Sequence, residues 1–549
     1  EQNFLRHSFG LRVNSPAWEK LVRSYDDALV KIPDLNLKAF RTQNRSLPPR
    51  VLEIDPSIYR FVNESDTDFA LPQNRQWAEH IRYKWKNIAQ NGRFDVDAVI
   101  GGVTIPSENR VTVIDKSQYH DNVVVGSYSR ASADNIREAL RVAAADPDGW
   151  RTLDLLSRQK ILMNVAHEFR KSRGDLIGIA AAEVGKVFSE TDVEVSEAID
   201  FCNFYPYSVR EFTALTNAHA MGKGVGVVIS PWNFPIAIPT GGIAAALASG
   251  NTVILKPSSD AVLCAYRLCQ CFWEGGVSKN TLQFVPTSGE TAGKYLITDP
   301  LADFVIFTGG ETTVYAMIKA RPDLHLSAET GGKDATIVTA LSDRDQAIKN
   351  VIASAFNNSG QKCSATSLLI LEKEVYDDPH FKQTLIDAAS SLQVGSVWDF
   401  QNRVGALIAP PSGTLKHALS YLDNNESWAL KPSYSDDNNP YMLRPSIRWG
   451  TKNGDFCHMN ELFGPVLSVM RAENLEHAIE LVNATGYGLT SGLESLDERE
   501  QAIWKENLLA GNLYINRPTT GAIVMRQPFG GMGKSSIGSG RKAGGFNYV

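Results

Sequence analysis

The stretch Asn357-Asn358-Ser359-Gly360-Gln361-Lys362-Cys363-Ser364-Ala365 places a cysteine just past a helix end and a glycine-containing turn. There a thiol is presented rather than packed away, and a thiolate is a competent nucleophile. Thirty-four residues earlier stands Glu329-Thr330-Gly331-Gly332-Lys333, a carboxylate suited to general-base work followed by two glycines that let backbone approach a ligand. A cysteine alone is more often a small buried apolar residue, so its company decides the reading.

The elements that must hold these residues are legible around them. Ile348, Val351, Ile352, Ala355 and Phe356 recur at helical spacing, which predicts a helix with Ser342 or Asp343 as N-cap that ends just before the cysteine loop. From 224 to 330 strand and helix alternate. Strands are expected at 224–229, 252–255, 282–285 and 304–307, and helices at 235–248, 260–273 and 311–320. That rhythm belongs to a doubly wound parallel sheet, whose ligand crevice lies beyond the carboxyl ends of its strands. Upstream, the pattern predicts a hairpin-like entry at 98–103, strands near 110–114 and 122–126, and helices over 132–145, 157–171 and 173–204.

With 549 residues the chain is too long for one core, and it suggests two or three domains. A net charge of −6 argues against a general nucleic-acid surface. Six scattered cysteines form no disulfide framework and suggest a reducing compartment, so a cytoplasmic setting is expected. Cys269-Gln270-Cys271 lies in an apolar run without a second ligand pair at zinc spacing, so no metal is expected. No window is apolar enough to read as a membrane span, and the start does not read as a signal peptide.

The Glu-Thr-Gly-Gly-Lys and Ser-Gly-Gln-Lys-Cys pair resembles the aldehyde dehydrogenase superfamily. Ser230-Pro231-Trp232-Asn233-Phe234-Pro235, Gly250-Asn251-Thr252-Val253-Ile254-Leu255-Lys256-Pro257, Phe307-Thr308-Gly309, Glu461-Leu462-Phe463-Gly464-Pro465 and Gln527-Pro528-Phe529-Gly530-Gly531 follow the same order. The resemblance implies an α/β fold with a Rossmann-like NAD-binding domain (96–204 and 224–330), an α/β catalytic domain (331–510), and a small β-flap for oligomerisation. The flap would occupy 205–223 and make a homodimer, with 511–549 as a substrate-anchor segment and 1–95 as an arm.

By the same resemblance Cys363 is the nucleophile, Glu329 the base, and the Asn233 amide with the Cys363 N–H the oxyanion hole. NAD would meet Ile229, Ser230, Pro231, Trp232, Lys256, Ser258, Ser259, Phe307, Thr308, Gly309, Gly310, Gly331, Glu461 and Phe463. The fingerprint Gly-x-Gly-x-x-Gly is missing from the strand-to-helix turns, and the resemblance implies instead that Phe307-Thr308-Gly309-Gly310 and the helix after it face the pyrophosphate. Two departures stand out. Ser259 replaces the glutamate common in NAD-preferring members, which suggests that NADP is tolerated, and Gly310 replaces a serine.

The segment 516–531, followed by Arg541-Lys542-Ala543-Gly544-Gly545, resembles the glutamate-γ-semialdehyde (pyrroline-5-carboxylate) dehydrogenases of proline catabolism. That implies backbone N–H groups of Gly521 and Ala522 and the Ser364 hydroxyl on the substrate carboxylate, with Phe234 and Phe529 around its methylene chain. Glu1-Gln2-Asn3-Phe4-Leu5-Arg6 and residues 61–75 resemble the corresponding part of bifunctional proline-catabolic enzymes, which implies a proline dehydrogenase domain on a longer chain. An aldehyde dehydrogenase for another short aldehyde, and an assembly protein with a retired site, remain as alternatives.

Overall fold

The computed structural model describes residues 6–7, 10–35, 40–50, 55–217, 220–538 and 543–549. The opening 1–5 and Arg541-Lys542, read above as family signatures, lie outside the described residues. The arm carries helices α1 (Pro16–Val30) and α2 (Pro72–Lys86). The first half of the core follows with β1 (Ala98–Ile100), β2 (Val103–Ile105), the hairpin β3 (Arg110–Ile114) and β4 (Val124–Ser129), and helices α3 (Ala133–Ala145), α4 (Leu155–Val184) and α5 (Phe188–Thr213). Then come β5 (Val225–Ile229), α6 (Ala237–Ala248), β6 (Thr252–Lys256), α7 (Val262–Glu274), β7 (Leu282–Phe284), β8 (Phe304–Thr308), α8 (Glu311–Ala320) and β9 (His325–Glu329).

The second half contains β10 (Ala335–Val338), α9 (Arg344–Phe356), β11 (Leu368–Glu372), β12 (Ser427–Leu430), β13 (Ser446–Thr451) and β14 (Val466–Ala472). It closes with β15 (Tyr487–Gly488), β16 (Thr490–Glu494), β17 (Asn512–Ile515), β18 (Met532–Gly533) and β19 (Ser536–Gly538).

Two sheets organise the core. The first has the order β19-β9-β8-β5-β6-β7-β1-β2, with β5 to β9 parallel and the outer strands antiparallel. Its central strands β5 and β6 are almost continuously buried, as strands covered by helices on both faces must be. The chain runs from β5 outward to β7 and then crosses back to β8 on the other side of β5. The resulting switch point lies between the ends of β5 and β8, where a crevice opens for a ligand. The second sheet, β12-β13-β14-β11-β10-β16-β17, carries the cysteine loop between β10 and β11.

Several expectations need correction. The helices expected at 157–171 and 173–204 are differently divided. Ser172 and Arg173 lie inside α4, where the Arg173 guanidinium donates to Asp192 Oδ1 at 2.8 Å, and the break falls at Gly185 instead, with φ of 71°. The β-flap expected at 205–223 is not strand at the described positions. The α5 helix runs through Pro206 to Thr213, because Phe204, Tyr205, Ser208 and Val209 continue its buried face. The boundary at 510 also moves, since β17 completes the second sheet and β19 returns to the first. Among the described residues no helix is long and apolar enough to cross a membrane.

Candidate active site

The cysteine is seated by a strained reversal. Helix α9 starts at Asp343, whose side chain accepts the Gln346 N–H, and buries Ala347, Ile348, Val351, Ile352, Ala355 and Phe356. Beyond it Asn358, Ser359 and Gly360 take φ of 53°, 55° and 66°. Such left-handed residues persist where their surroundings over-determine them. Here the Asn358 N–H donates to Glu190 Oε1 at 2.9 Å, Lys362 Nζ lies 3.2 Å from Glu190 Oε2, and the Ser359 hydroxyl donates to the Gly405 carbonyl at 2.7 Å. Gly360 admits no side chain, since a β-carbon would stand 2.4 Å from the Gly464 carbonyl oxygen.

Cys363 lies on the walls of two cavities. The outer cleft of about 860 Å³ occupies the switch point, and the inner pocket of about 100 Å³ contains Glu329, at the end of β9. One Glu329 oxygen accepts the Gly531 N–H at 2.8 Å. Burial, then the charges of Asp334, Glu329 and Glu461, push the Cys363 thiol well up. The chain by itself therefore favours the protonated thiol.

Asn233 follows β5 and is buried, with one amide hydrogen donated to the Gln361 carbonyl at 3.1 Å. A carboxamide has a second hydrogen to offer. Lys186, which sequence reasoning missed, sets this turn: its Nζ is 3.0 Å from the Asn233 carbonyl and 2.7 Å from Glu194 Oε2, and lies 4.0 Å over the Phe234 ring. The other Glu194 oxygen accepts the N–H groups of Ile236 and Ala237 at the start of α6.

The outer cleft is lined by Ile229, Ser230, Pro231, Trp232, Lys256, Ser258, Phe307, Thr308, Gly309, Gly310, Gly331, Glu461 and Phe463. Ser259 alone of the expected set is not on its wall; it is exposed, and its carbonyl accepts the Tyr128 hydroxyl at 3.2 Å. The case for NADP loses that hydroxyl. The fit to a dinucleotide rests on α8, whose N-cap Gly310 offers no side-chain cap; the Thr313 N–H donates to the Gly310 carbonyl at 3.1 Å, and the N–H groups before it, of Glu311 and Thr312, suit a phosphate. Burial lowers Lys256 to about 8 and raises Glu461 to about 7. The Gly332 N–H donates to Glu461 Oε1 at 3.0 Å, and the Phe463 ring stands edge-on to Trp232 at 5.7 Å. Glu290 and Lys294 also line this cleft; no pattern in the sequence had marked them.

The inner pocket takes Ala522 and Phe529 from the C-terminal segment, as expected, but Phe234, Ser364 and Gly521 are not on its wall. Phe234 packs under Lys186. Ser364 is buried, its carbonyl accepting the Thr519 hydroxyl at 3.0 Å, and Gly521, with φ of 83°, is exposed. The wall also contains Glu197, from the buried length of α5, which the sequence reading did not single out. Burial, then Glu194 and Asp200, push its carboxyl up to about 8. A helical pattern marks such a residue as scaffold, and only its cavity marks it as functional.

A switch-point cleft that meets a cysteine-bearing inner pocket is the layout of an NAD-dependent dehydrogenase that holds its substrate through sulfur. The chain belongs to the aldehyde dehydrogenase family, whose description it matches over residues 105–549. It is 31% identical over 515 residues to a 1-pyrroline-5-carboxylate dehydrogenase of Geobacillus sp. (strain WCH70), covering 90% of this chain and 97% of that one. Among solved structures, a 1-pyrroline-5-carboxylate dehydrogenase from Thermus with bound NAD is 30% identical at a TM-score of 0.83, over 90% of this chain and 97% of that one. Proline Utilization A from Corynebacterium freiburgense is 37% identical at a TM-score of 0.77, over 88% of this chain; the match spans about half of that protein, 46% of its length.

Proposed function

We propose that this protein oxidises L-glutamate-γ-semialdehyde, the open form of 1-pyrroline-5-carboxylate, to L-glutamate with NAD, the second step of proline catabolism. The observation that carries the reading is the place of Cys363, shared by the outer cleft and by an inner pocket that holds Glu329, Ala522 and Glu197. The narrow inner pocket suits a slim unbranched chain. Glu197 would receive the α-ammonium group, and the Ala522 N–H, with Gly521, the α-carboxylate.

The chemistry follows from the residues. Glu329 takes the thiol proton as Cys363 sulfur bonds to the aldehyde carbon, and the Asn233 amide with the Cys363 N–H stabilises the oxyanion of the thiohemiacetal. NAD, held by Lys256, Glu461 and the start of α8, supplies the hydride acceptor. Glu329, once it has released the thiol's proton to solvent, removes a proton from water as the water oxygen attacks the thioester carbon; the carbon–sulfur bond then breaks, the departing sulfur takes that proton back from Glu329, and the acid leaves. The raised thiol makes the base necessary for the first step.

The six cysteines are all unpaired, which supports a reducing, cytoplasmic setting. A homodimer remains proposed, without 205–223 as its flap, and so does a proline dehydrogenase domain on a longer chain; the match to half of Proline Utilization A supports the latter. The test of the activity is NADH production with L-glutamate-γ-semialdehyde against propanal, in the wild type and in Cys363→Ser. Strong preference for the semialdehyde, lost in the variant, supports the reading; equal turnover of propanal overturns the substrate assignment.

A further inference from the structure

We infer that Asn63, on the N-terminal arm, is a positioning residue that ties the substrate-anchor loop to α5 and so sets how firmly the substrate's carboxylate is held. The inference rests on the reading of Gly521 and Ala522 as the carboxylate anchor. The Asn63 side-chain amide donates one hydrogen to Asp200 Oδ2 at 2.8 Å and the other to the Val524 carbonyl at 3.0 Å. A single carboxamide thus spans two elements that are far apart in sequence, α5 and the loop that carries Ala522. The neighbouring Glu64 N–H donates to Asp200 Oδ1 at 2.6 Å, so both oxygens of that carboxylate are taken up by the arm.

Each end of this bridge is fixed. Val524 and Asp200 are both buried. Asp200 sits one turn after Glu197 and next to Phe201 on α5, and both of those line the inner pocket. The arm is anchored in turn. The Glu64 carboxylate lies 2.8 Å from Arg170 and 3.4 Å from Arg173, the Thr67 N–H and hydroxyl donate to Asp192 at 2.5 Å each, and the Phe61 ring meets Phe204 edge-on at 5.2 Å. From the opposite side the Arg517 guanidinium donates to the Thr520 and Gly521 carbonyls and to Gln527 Oε1 at 3.0 to 3.3 Å.

The anchor loop is therefore gripped from the arm by Asn63 and from its own segment by Arg517, while just beyond Val524 the Met525 N–H donates to the Gly544 carbonyl at 3.0 Å. Between the grips of Asn63 and Arg517 stands Ala522, two residues before Val524. Losing the Asn63 amide leaves a buried carbonyl and a buried carboxylate each short of a donor, and the loop relieves that by shifting. A shift there moves the Ala522 N–H, which an aldehyde without a carboxylate does not use. The arm thereby acts on affinity for one substrate class while leaving the sulfur chemistry alone.

The experiment uses the whole chain and compares Asn63→Ala with Phe61→Leu, which loosens the arm without touching the Val524 carbonyl. The first readout is hydrogen exchange over residues 521–527 without substrate, expected to quicken in Asn63→Ala. The second is steady-state kinetics. Loss of one such bond raises KM for L-glutamate-γ-semialdehyde by roughly 3- to 10-fold, with kcat and the kcat/KM for propanal held within about twofold. Phe61→Leu lowers the melting temperature without changing the ratio of the two substrates. Unchanged exchange in folded Asn63→Ala, or equal losses for both substrates, overturns the inference. If Asn63→Ala does not fold, Asn63→Ser is read by the same two measurements. A wild type that does not prefer the semialdehyde overturns the functional reading instead, and the exchange result still decides whether the arm holds the loop.

Discussion

The Glu461 carboxylate occupies the space beside Gly331 that a side chain would need: a β-carbon there would lie 2.0 Å from Glu461 Oε2 and 2.5 Å from Oε1. The glycine is thus required by the acid, and the acid is aimed into the outer cleft by the glycine. Gly331→Ala should swing Glu461 away and break its bond to the Gly332 N–H. NAD affinity is expected to fall by about tenfold, with aldehyde KM little changed; titration of NAD by calorimetry checks this.

Cys363 and Glu329 should fail differently. Cys363→Ser yields no NADH at any aldehyde concentration. Glu329→Gln removes a base needed at both steps, so the first turnover of NADH and the steady rate after it should both slow, the latter by about 100-fold or more, since loss of a positioned base costs on that scale. Rapid-mixing absorbance separates the two phases.

Ala522→Pro removes one anchoring N–H. KM for L-glutamate-γ-semialdehyde should rise by about tenfold, the scale of one hydrogen bond to a charged group, while propanal kinetics stay as they were. Steady-state assays with both aldehydes decide it.

Glu197→Gln keeps the shape of the inner wall and leaves a group that cannot ionise, where the carboxyl, raised to about 8 by burial, would give up its proton to meet an ammonium group. It should erode the preference for L-glutamate-γ-semialdehyde over succinic semialdehyde, which has no amino group. Equal preference in variant and wild type would remove Glu197 from the substrate site.

Stability should fall as pH rises through the neutral range. Burial lifts Glu183, Glu461 and Glu494 to about 7, Glu197 to about 8 and Asp200 to about 6. Between the ordinary carboxyl values and these, the folded state holds protons that the unfolded chain has released, so the slope of stability with pH is negative. Lys256 and Lys333, pushed down to about 8, act the other way above that pH, because the unfolded chain then binds more protons. Thermal melts should show a higher melting temperature at pH 5.5 than at pH 8, and Glu461→Gln should flatten that difference.

The sequence made the chemistry legible because short motifs carry it. Glu329, Asn233 and Cys363 stand in local patterns, and the strands from 225 to 308 announce themselves by apolar runs between turn residues, whereas β9, with its polar His325, Ser327 and Glu329, did not. The residues it hid are those whose meaning is long-range. Lys186, Glu197 and Asp200 fall within a stretch read as plain helix, and Asn63 within a polar arm, because nothing nearby in sequence says what each will meet. The flap expectation failed for a related reason. Pro206 looks like a breaker, yet the buried faces on either side of it, from Phe204 to Val209, hold the helix together.

The pairing of β19 with β9 has a consequence for how the molecule comes into being. Ser536 lies opposite Glu329, so the edge of the strand that ends in the general base is completed by residues far downstream in the chain. Contacts so distant along the chain form late and slowly. A ribosome-bound chain that has already folded its first sheet around β5 still has β9 as an open edge, with no Gly531 N–H to hold the Glu329 carboxylate. Competence for water attack on a thioester should thus appear only once the segment carrying Gly531 and Ser536 has docked against β9, which keeps a reactive thiol from being put to work in a half-folded protein.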